Sequence, residues 1–522
     1  MQPFSFSPAL RLIPGIIALT LPLGLFVRQE PARVEAQTAR PVSAPLVAEN
    51  LTTAEVELAV QTAAEATAGE QFSVTVVDRA GRILAVWHRA GATAAEDERS
   101  LSLARTGAFF ANNQAPLSSR TVRFISGIHF PPGVRNQSNA ALYGIENTNR
   151  VGYNVDFLPG QEYPYPLNVD GTGPSLGITT GKADVQDSVP SAVNPAAFPL
   201  YKNGQVVGGV GVAGVGSAAD HFLAAEFAAF KATQISDVIR FPFSSRAVIF
   251  ADGIALPYVA APVLAAVKAG RQVAGVAAGA FDPDPGRYRV GPVAGGLAPE
   301  GYLVGPLAGS MLSQADVERL VEQSVRSADR TRALIRLPLG RRTKMVIGVG
   351  DLDGRILALY RMPDSTIFSL DVAVAKARNV VYFSGPTRTP AELPGLPIGT
   401  AVTNRTISFG AQPLFPPGIS RTDPGPFFDL FLFDTANPGT QGSQAANPYQ
   451  NGIVFFPGST PLYRNGELIG GLGISGDGVE QDDFVAYQGS KGFRAPKSIQ
   501  ADRFKIRGVR MPYFKFPRNP TK

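Results

Sequence analysis

The stretch DLDGRILALYR, Asp351–Arg361, decides the fold, because the chain carries a near copy of it far upstream: DRAGRILAVWH, Asp78–His88. Each is entered by a β-rich segment, KMVIGVGD (Lys344–Asp351) and FSVTVVD (Phe72–Asp78). Asp-x-x-Gly then makes a tight turn, with Gly354 or Gly81 free to take positive φ. RILALYR and RILAVWH return as the partner strands. Upstream lie two helical patterns, LTTAEVELAVQTAAEA from Leu51 and LSQADVERLVEQSVRSA from Leu312. Thr52 or Thr53 caps the first, with Glu55 in its first turn. Ser313 caps the second, with Asp316 at the reciprocal position.

Downstream, a second helix recurs as DERSLSLARTGAFF (Asp97–Phe110) and SLDVAVAKARNVVYF (Ser369–Phe383), aligned on Arg105 with Arg378 and Phe110 with Phe383. Long stretches rich in Gly, Pro, Asn and aromatics follow, and their length points to lids or interface packing. The best match closes each unit: PLYKNGQVVGGVGVAG (Pro199–Gly214) and PLYRNGELIGGLGISG (Pro461–Gly476). Asn-Gly signals a two-residue hairpin. The glycines give the next strand one thin side, where a backbone or a ligand can approach. GIALPY (Gly253–Tyr258) and GVRMPY (Gly508–Tyr513) repeat beyond it. The expectation is an α+β tandem duplication, each domain an antiparallel sheet flanked by helices, the two meeting as a pseudo-dimer. Residues 50–260 form the first domain, 261–310 an Ala/Gly/Pro-rich linker, 311–490 the second domain and 491–522 a basic tail.

Arg11 precedes an apolar run, Leu12–Val27, and Val34 and Ala36 satisfy a small-x-small rule. Residues 1–36 therefore read as a signal peptide cut after Ala36, which places the protein in the periplasm or outside the cell, without a membrane span after cleavage. The chain of 522 residues has no Cys. That excludes disulfides, Cys-ligated zinc, iron–sulfur clusters, c-type haem attachment and thiol nucleophiles. The net charge of +6 belongs to the tail, where Asp502 is the one acid among ten Lys and Arg. Its interleaved aromatics suggest docking on its own domain, and its cations contact with an anionic lipid or cell-wall surface rather than nucleic acid.

No phosphate-binding loop occurs, and no cluster of zinc ligands is present. The segment GDGVEQDD (Gly476–Asp483) is either an N-terminal helix cap with first-turn acids or a polar pocket edge facing Lys376 and Arg378.

As a set, DLDGRILALYRM, SLDVAVAKAR, PLYRNGELIGGLGISG and GVEQDD resemble the haem-binding, haem-degrading family that includes the glycolate-operon protein. The resemblance covers roughly residues 50–225 and 310–490. It implies haem or another acidic small molecule as ligand, and assembly into homo-oligomers. Oxidative haem breakdown and a non-catalytic oligomeric interaction protein are the alternatives. His88 and His221 are the candidate haem ligands, with no separate metal site. Arg355, Arg361, Lys376, Arg378, Tyr463, Glu480 and Asp482 form the expected ligand-binding set. The site is expected in the second copy, since the first has Leu103 for Lys376 and Ala218 for Glu480.

Overall fold

The Asp-x-x-Gly turn closes on its own aspartate. Asp78 Oδ1 accepts from the backbone N–H of Ala80 and of Arg82, both at 2.9 Å, and Gly81 takes φ 81°. In the second copy Gly354 takes φ 92°, and Asp351 instead accepts from Ser310 and from Leu352 N–H. A computed structural model describes residues 49–127, 130, 140–145, 194–214, 221–242, 248–251, 254–283, 288–290 and 298–521, except 420, 438, 446 and 448. The expected signal segment, residues 1–36, lies outside the described residues.

The first copy comprises α1 (Thr53–Ala66), β1 (Ser73–Asp78), β2 (Ile83–His88), α2 (Ala94–Phe110), α3 (Ser119–Ser126), β3 (Ala197–Lys202), β4 (Gln205–Ala213) and α4 (His221–Lys231). It continues through β5 (Val248–Ala251), β6 (Ile254–Pro257), α5 (Ala261–Lys268) and β7 (Tyr288–Val290). The second comprises β8 (Gly301–Val304), α6 (Gln314–Ala328), β9 (Val346–Gly350), β10 (Ile356–Arg361), α7 (Ser369–Ser384), α8 (Asn404–Gly410) and α9 (Phe428–Ala436). It ends with β11 (Ser459–Arg464), β12 (Glu467–Ser475), α10 (Val479–Gly489), β13 (Lys505–Ile506) and β14 (Val509–Arg510). Capping boxes start α1 at Thr52/Glu55 and α6 at Ser313/Asp316.

Two antiparallel five-stranded sheets result, ordered β3-β4-β1-β2-β7 and β11-β12-β9-β10-β8. The identical order makes the duplication a property of the fold. It also corrects the reading of 261–310 as a linker. That stretch adds an edge strand to each sheet: Trp87 pairs with Tyr288 in one, and Tyr360 with Tyr302 in the other. The Asn-Gly hairpins adopt the expected left-handed pair, Asn203/Gly204 at φ 48° and 78°, Asn465/Gly466 at φ 51° and 86°.

The thin sides of β4 and β12 serve helix packing. A Cβ on Gly209 would lie 2.2 Å from Ala104 O, and one on Gly473 2.0 Å from Ala373 O. Glycine at these positions lets α2 and α7 press onto the sheets, and no room remains there for a ligand.

The basic tail folds onto the second copy. Met511, Tyr513 and Ile506 are buried, while Lys505, Arg507 and Arg510 point out. Its Pro-Tyr end is clamped by the cap residues of α8: Thr403 Oγ1 donates to Tyr513 O (2.6 Å) and Thr406 Oγ1 to Pro512 O (2.7 Å). Ser118 and Thr121 hold Tyr258 O and Pro257 O in the same way in the first copy.

Both copies lie in one compact unit, Ala48–Lys522, and share a core. Phe110, ending α2, stacks on Phe368, ahead of α7, at 4.3 Å and 11°. Beside it Arg336 is buried between Asp477 and Asp364, and Leu337 N–H donates to Gln114 O of the first copy at 2.8 Å.

Candidate functional site

The expected ligand set of the second copy does not converge on one pocket. Lys376, on α7, is fully buried. Its Nζ donates to Ile474 O (2.7 Å) and to Asp482 Oδ2 (3.1 Å), and lies 4.9 Å from the centre of the Phe456 ring. Burial pushes the Lys376 ammonium below its ordinary value, and burial raises Asp482 to about 7 against the pull of Lys376. Asp483 accepts from Gly458 N–H and pairs with Arg405. Glu480 pairs with Lys515 of the tail. The acid cluster thus holds helix, strand and tail together.

Arg361 is buried, and its guanidinium donates to Ser365 O and to Pro299 O (3.0 Å). It fixes β8 and the loop after β10. Tyr463 packs in the second copy's core, where burial moves its phenol up to about 12. Arg355 remains partly exposed, 3.7 Å from Asp351. Arg378 is buried and donates to Gly354 O (2.8 Å) and Asn451 Oδ1 (3.1 Å). It is also the one member of the set that lines a groove of about 370 Å³, with Asp353, Tyr382, Gln441, Gln444 and Glu467. The expectation of a shared anion pocket is corrected: Lys376, Arg361 and Glu480 are satisfied from within. Burial forced this outcome, since a desolvated ammonium or guanidinium is stable only with protein partners.

The first copy differs at the end of β2. His88 Nδ1 lies 2.9 Å from Asp97 Oδ2 and 3.1 Å from Asp97 Oδ1. A carboxylate only accepts, so Nδ1 carries a proton, and in the neutral imidazole the lone pair is then on Nε2. Ser73 Oγ donates to Asp97 (2.6 Å), and Ser100 joins Ser73 (3.1 Å) and Thr75 (2.6 Å) beneath it. These three hydroxyl residues are fully buried, while His88 and Asp97 are about one-third exposed.

His88 lines a groove of about 460 Å³ with Glu70, Trp87, Arg89, Gly91 and Asp282. Trp87 is buried at the edge of this groove, its indole N–H bonded to Asp282 O at 3.0 Å. Arg89 lies over the Phe72 and Trp87 rings and donates to the carbonyls of Ala64 and Thr67 at the end of α1. Burial lowers its pKa, and no carboxylate among the described residues pairs with it. His221 begins α4, and its side chain lies outside the described residues. The His88–Asp97 pair was not readable in the sequence, because the residues are nine apart on different elements and meet only in the fold.

The fold is an α+β domain in duplicate. The chain belongs to the HbpS-like haem-degrading protein family, whose model matches residues 50–229 and 312–491. Over 156 residues it is 28% identical to the corrinoid adenosyltransferase PduO of Salmonella typhimurium, covering 30% of this chain and 34% of PduO. The chain thus spans about a third of that relative's length. Among solved structures it is similar to a PduOC–haem complex, at 24% identity over 35% of this chain and 96% of the other, with a TM-score of 0.24. A double mutant of Streptomyces reticuli HbpS matches at 19% identity over 38% and 98% of the two chains, with a TM-score of 0.22.

Proposed function

We propose that the protein binds haem through its first copy, with His88 as the iron ligand and the second copy as scaffold. The observation that carries this reading is the His88–Asp97 pair. A ligating imidazole is held in register by a carboxylate on its other nitrogen, and Asp97 is such a carboxylate. The groove fits the remaining demands on this reading. Arg89 supplies a cation for an acidic substituent. Bound haem would supply redox-active iron at this place. The chain's own residues fix the imidazole, hold its proton on Nδ1 and present one face of the groove.

Export by residues 1–36 is part of the proposal, as are homo-oligomer formation and contact of the exposed tail cations with an anionic surface.

Titration of the purified protein with haemin tests the central reading. A Soret shift saturating at one equivalent, lost in His88→Ala and kept in Lys376→Leu, is expected. Retention in His88→Ala overturns it. Decay of the band with reductant and oxygen identifies turnover in place of storage.

A further inference from the structure

We infer that the second copy carries a separate binding site for a phosphate-bearing anion, in the groove between α6 and α10. The groove has a volume of about 510 Å³ and is lined by Arg319, Arg326, Arg330 and Lys491, with the amides of Gln323 and Gln488, Ser327 and the Phe484 ring. Arg326 lies 3.5 Å from Glu322 at the exposed rim. No carboxylate among the described residues pairs with Arg319, Arg330 or Lys491. Arg319 is held in place by the Phe493 ring, 5.5 Å away, and by Gln323 Oε1 at 2.8 Å once that amide is turned to satisfy both its ends.

Cations beside helix ends have an ordinary explanation. α6 and α10 both end near this groove, and each C-terminus carries roughly half a negative charge. Two ends offset about one cation, and of the three that lack a carboxylate about two are then left over. The matching helix of the first copy, α1, carries Glu55, Glu57 and Glu65 and no Lys or Arg, so the fold does not require a basic end.

A second observation is independent of charge. Ser327 is 9% exposed, and its Oγ is buried with no hydrogen-bond partner among the described residues. A buried hydroxyl without a partner is costly, and a ligand oxygen reaching past the guanidinium groups would satisfy it. Fork-shaped donors, a point cation, a hydroxyl and amides around a groove of this size match a phosphate group, with Phe484 available to an attached apolar or ring moiety. The phosphate can belong to a soluble phosphoester or to a lipid headgroup.

The test uses the full chain and inorganic pyrophosphate, followed by calorimetry at fixed ionic strength. Saturable one-to-one binding is expected. Arg330→Gln and Lys491→Gln should each weaken it by about tenfold or more. Ser327→Ala should weaken it by a few-fold without lowering the unfolding temperature. Arg341→Gln removes an exposed cation outside the groove and should change nothing. Co-sedimentation with phosphatidylglycerol vesicles that Arg330→Gln abolishes assigns the phosphate to a lipid headgroup. Pyrophosphate binding without sedimentation assigns it to a soluble phosphoester. Absence of both, or equal loss in Arg341→Gln and Arg330→Gln, overturns the site in favour of diffuse surface charge.

Discussion

Where β2 ends in the first copy, the side chains are Ser73, Thr75, His88, Asp97 and Ser100. In the register set by Asp78 with Asp351 and Arg105 with Arg378, the second copy has Val346, Gly348, Arg361, Leu370 and Ala373. One place in the fold is a hydroxyl-lined shelf under an imidazole, and the other is packed core closed by an internally bonded guanidinium. The reverse holds one layer away, where Lys376 replaces Leu103 and draws Asp482 into a buried pair. The copy with the more typical motifs holds these charges in internal bonds, and the diverged copy presents a polar cluster to solvent. On the reading proposed above, motif retention alone is a poor guide to where a ligand sits.

The comparison breaks most visibly at Lys376. Removing one partner of a buried ion pair typically costs about 3–5 kcal/mol. Lys376→Leu, which writes the first copy's residue into the second, should destabilise the protein by about that much in urea unfolding, while whatever remains folded binds haemin as before. Lys376→Leu with Asp482→Asn should recover much of the loss, since no buried charge is then left alone.

A shared device should give a shared penalty. Gly209→Ala and Gly473→Ala each drive a methyl into helix backbone, so each should cost about 1–3 kcal/mol, with similar values in the two copies. A large loss at Gly473 with none at Gly209 shows that the first copy's helix can retreat and that the two layers are not equivalent.

The pH profile sharpens the contrast further. Asp482 is raised by burial to about 7 in the fold, against 3.8 when free. Between these values the folded chain holds a proton that the unfolded chain has released, so this group's contribution to stability falls as pH rises from about 4 to about 7. Asp482→Asn should remove that slope, measured as unfolding free energy at intervals across the window. Equal slopes in the two proteins show that water or a local rearrangement solvates the carboxylate.

The duplication, both hairpins, the capping boxes and the glycine strands were legible because each rests on chemistry within a few residues: Asp-x-x-Gly, Asn-Gly, a cap and its acid. The partners of the charged residues were not legible. Lys376 and Asp482 are more than a hundred residues apart in the chain, and only the meeting of α7 with α10 shows that they neutralise each other. β7 and β8 were hidden for another reason. Edge strands of three and four residues in a Gly- and Pro-rich stretch carry too short an alternation to register as strands. The sequence did offer His88, but not Asp97. A first-turn acid on a helix is expected for the helix's own sake, so its second role is invisible until β2 lies beside it.

The smallest expected effect is at Asp97, and it separates positioning from ligation. Asp97→Asn keeps the size of the side chain and can still accept from Ser73 through its remaining carbonyl oxygen, so unfolding should change little. What it loses is a carboxylate facing His88 Nδ1. An amide can present either its oxygen or its N–H there, and the imidazole is then free to carry its proton on either nitrogen. When the proton sits on Nε2, that nitrogen cannot ligate. Outer-sphere partners of this kind are worth about ten- to a hundredfold in affinity for the bound group. Asp97→Asn should therefore weaken haemin binding by about tenfold while leaving the Soret position of the saturated complex unchanged, and Asp97→Glu should restore part of the affinity. A shifted Soret band would mean that the iron has changed ligand and that Asp97 does more than orient His88. Unchanged affinity in Asp97→Asn, together with loss in Arg378→Gln, would move the ligand to the groove of the second copy and make the first copy the scaffold.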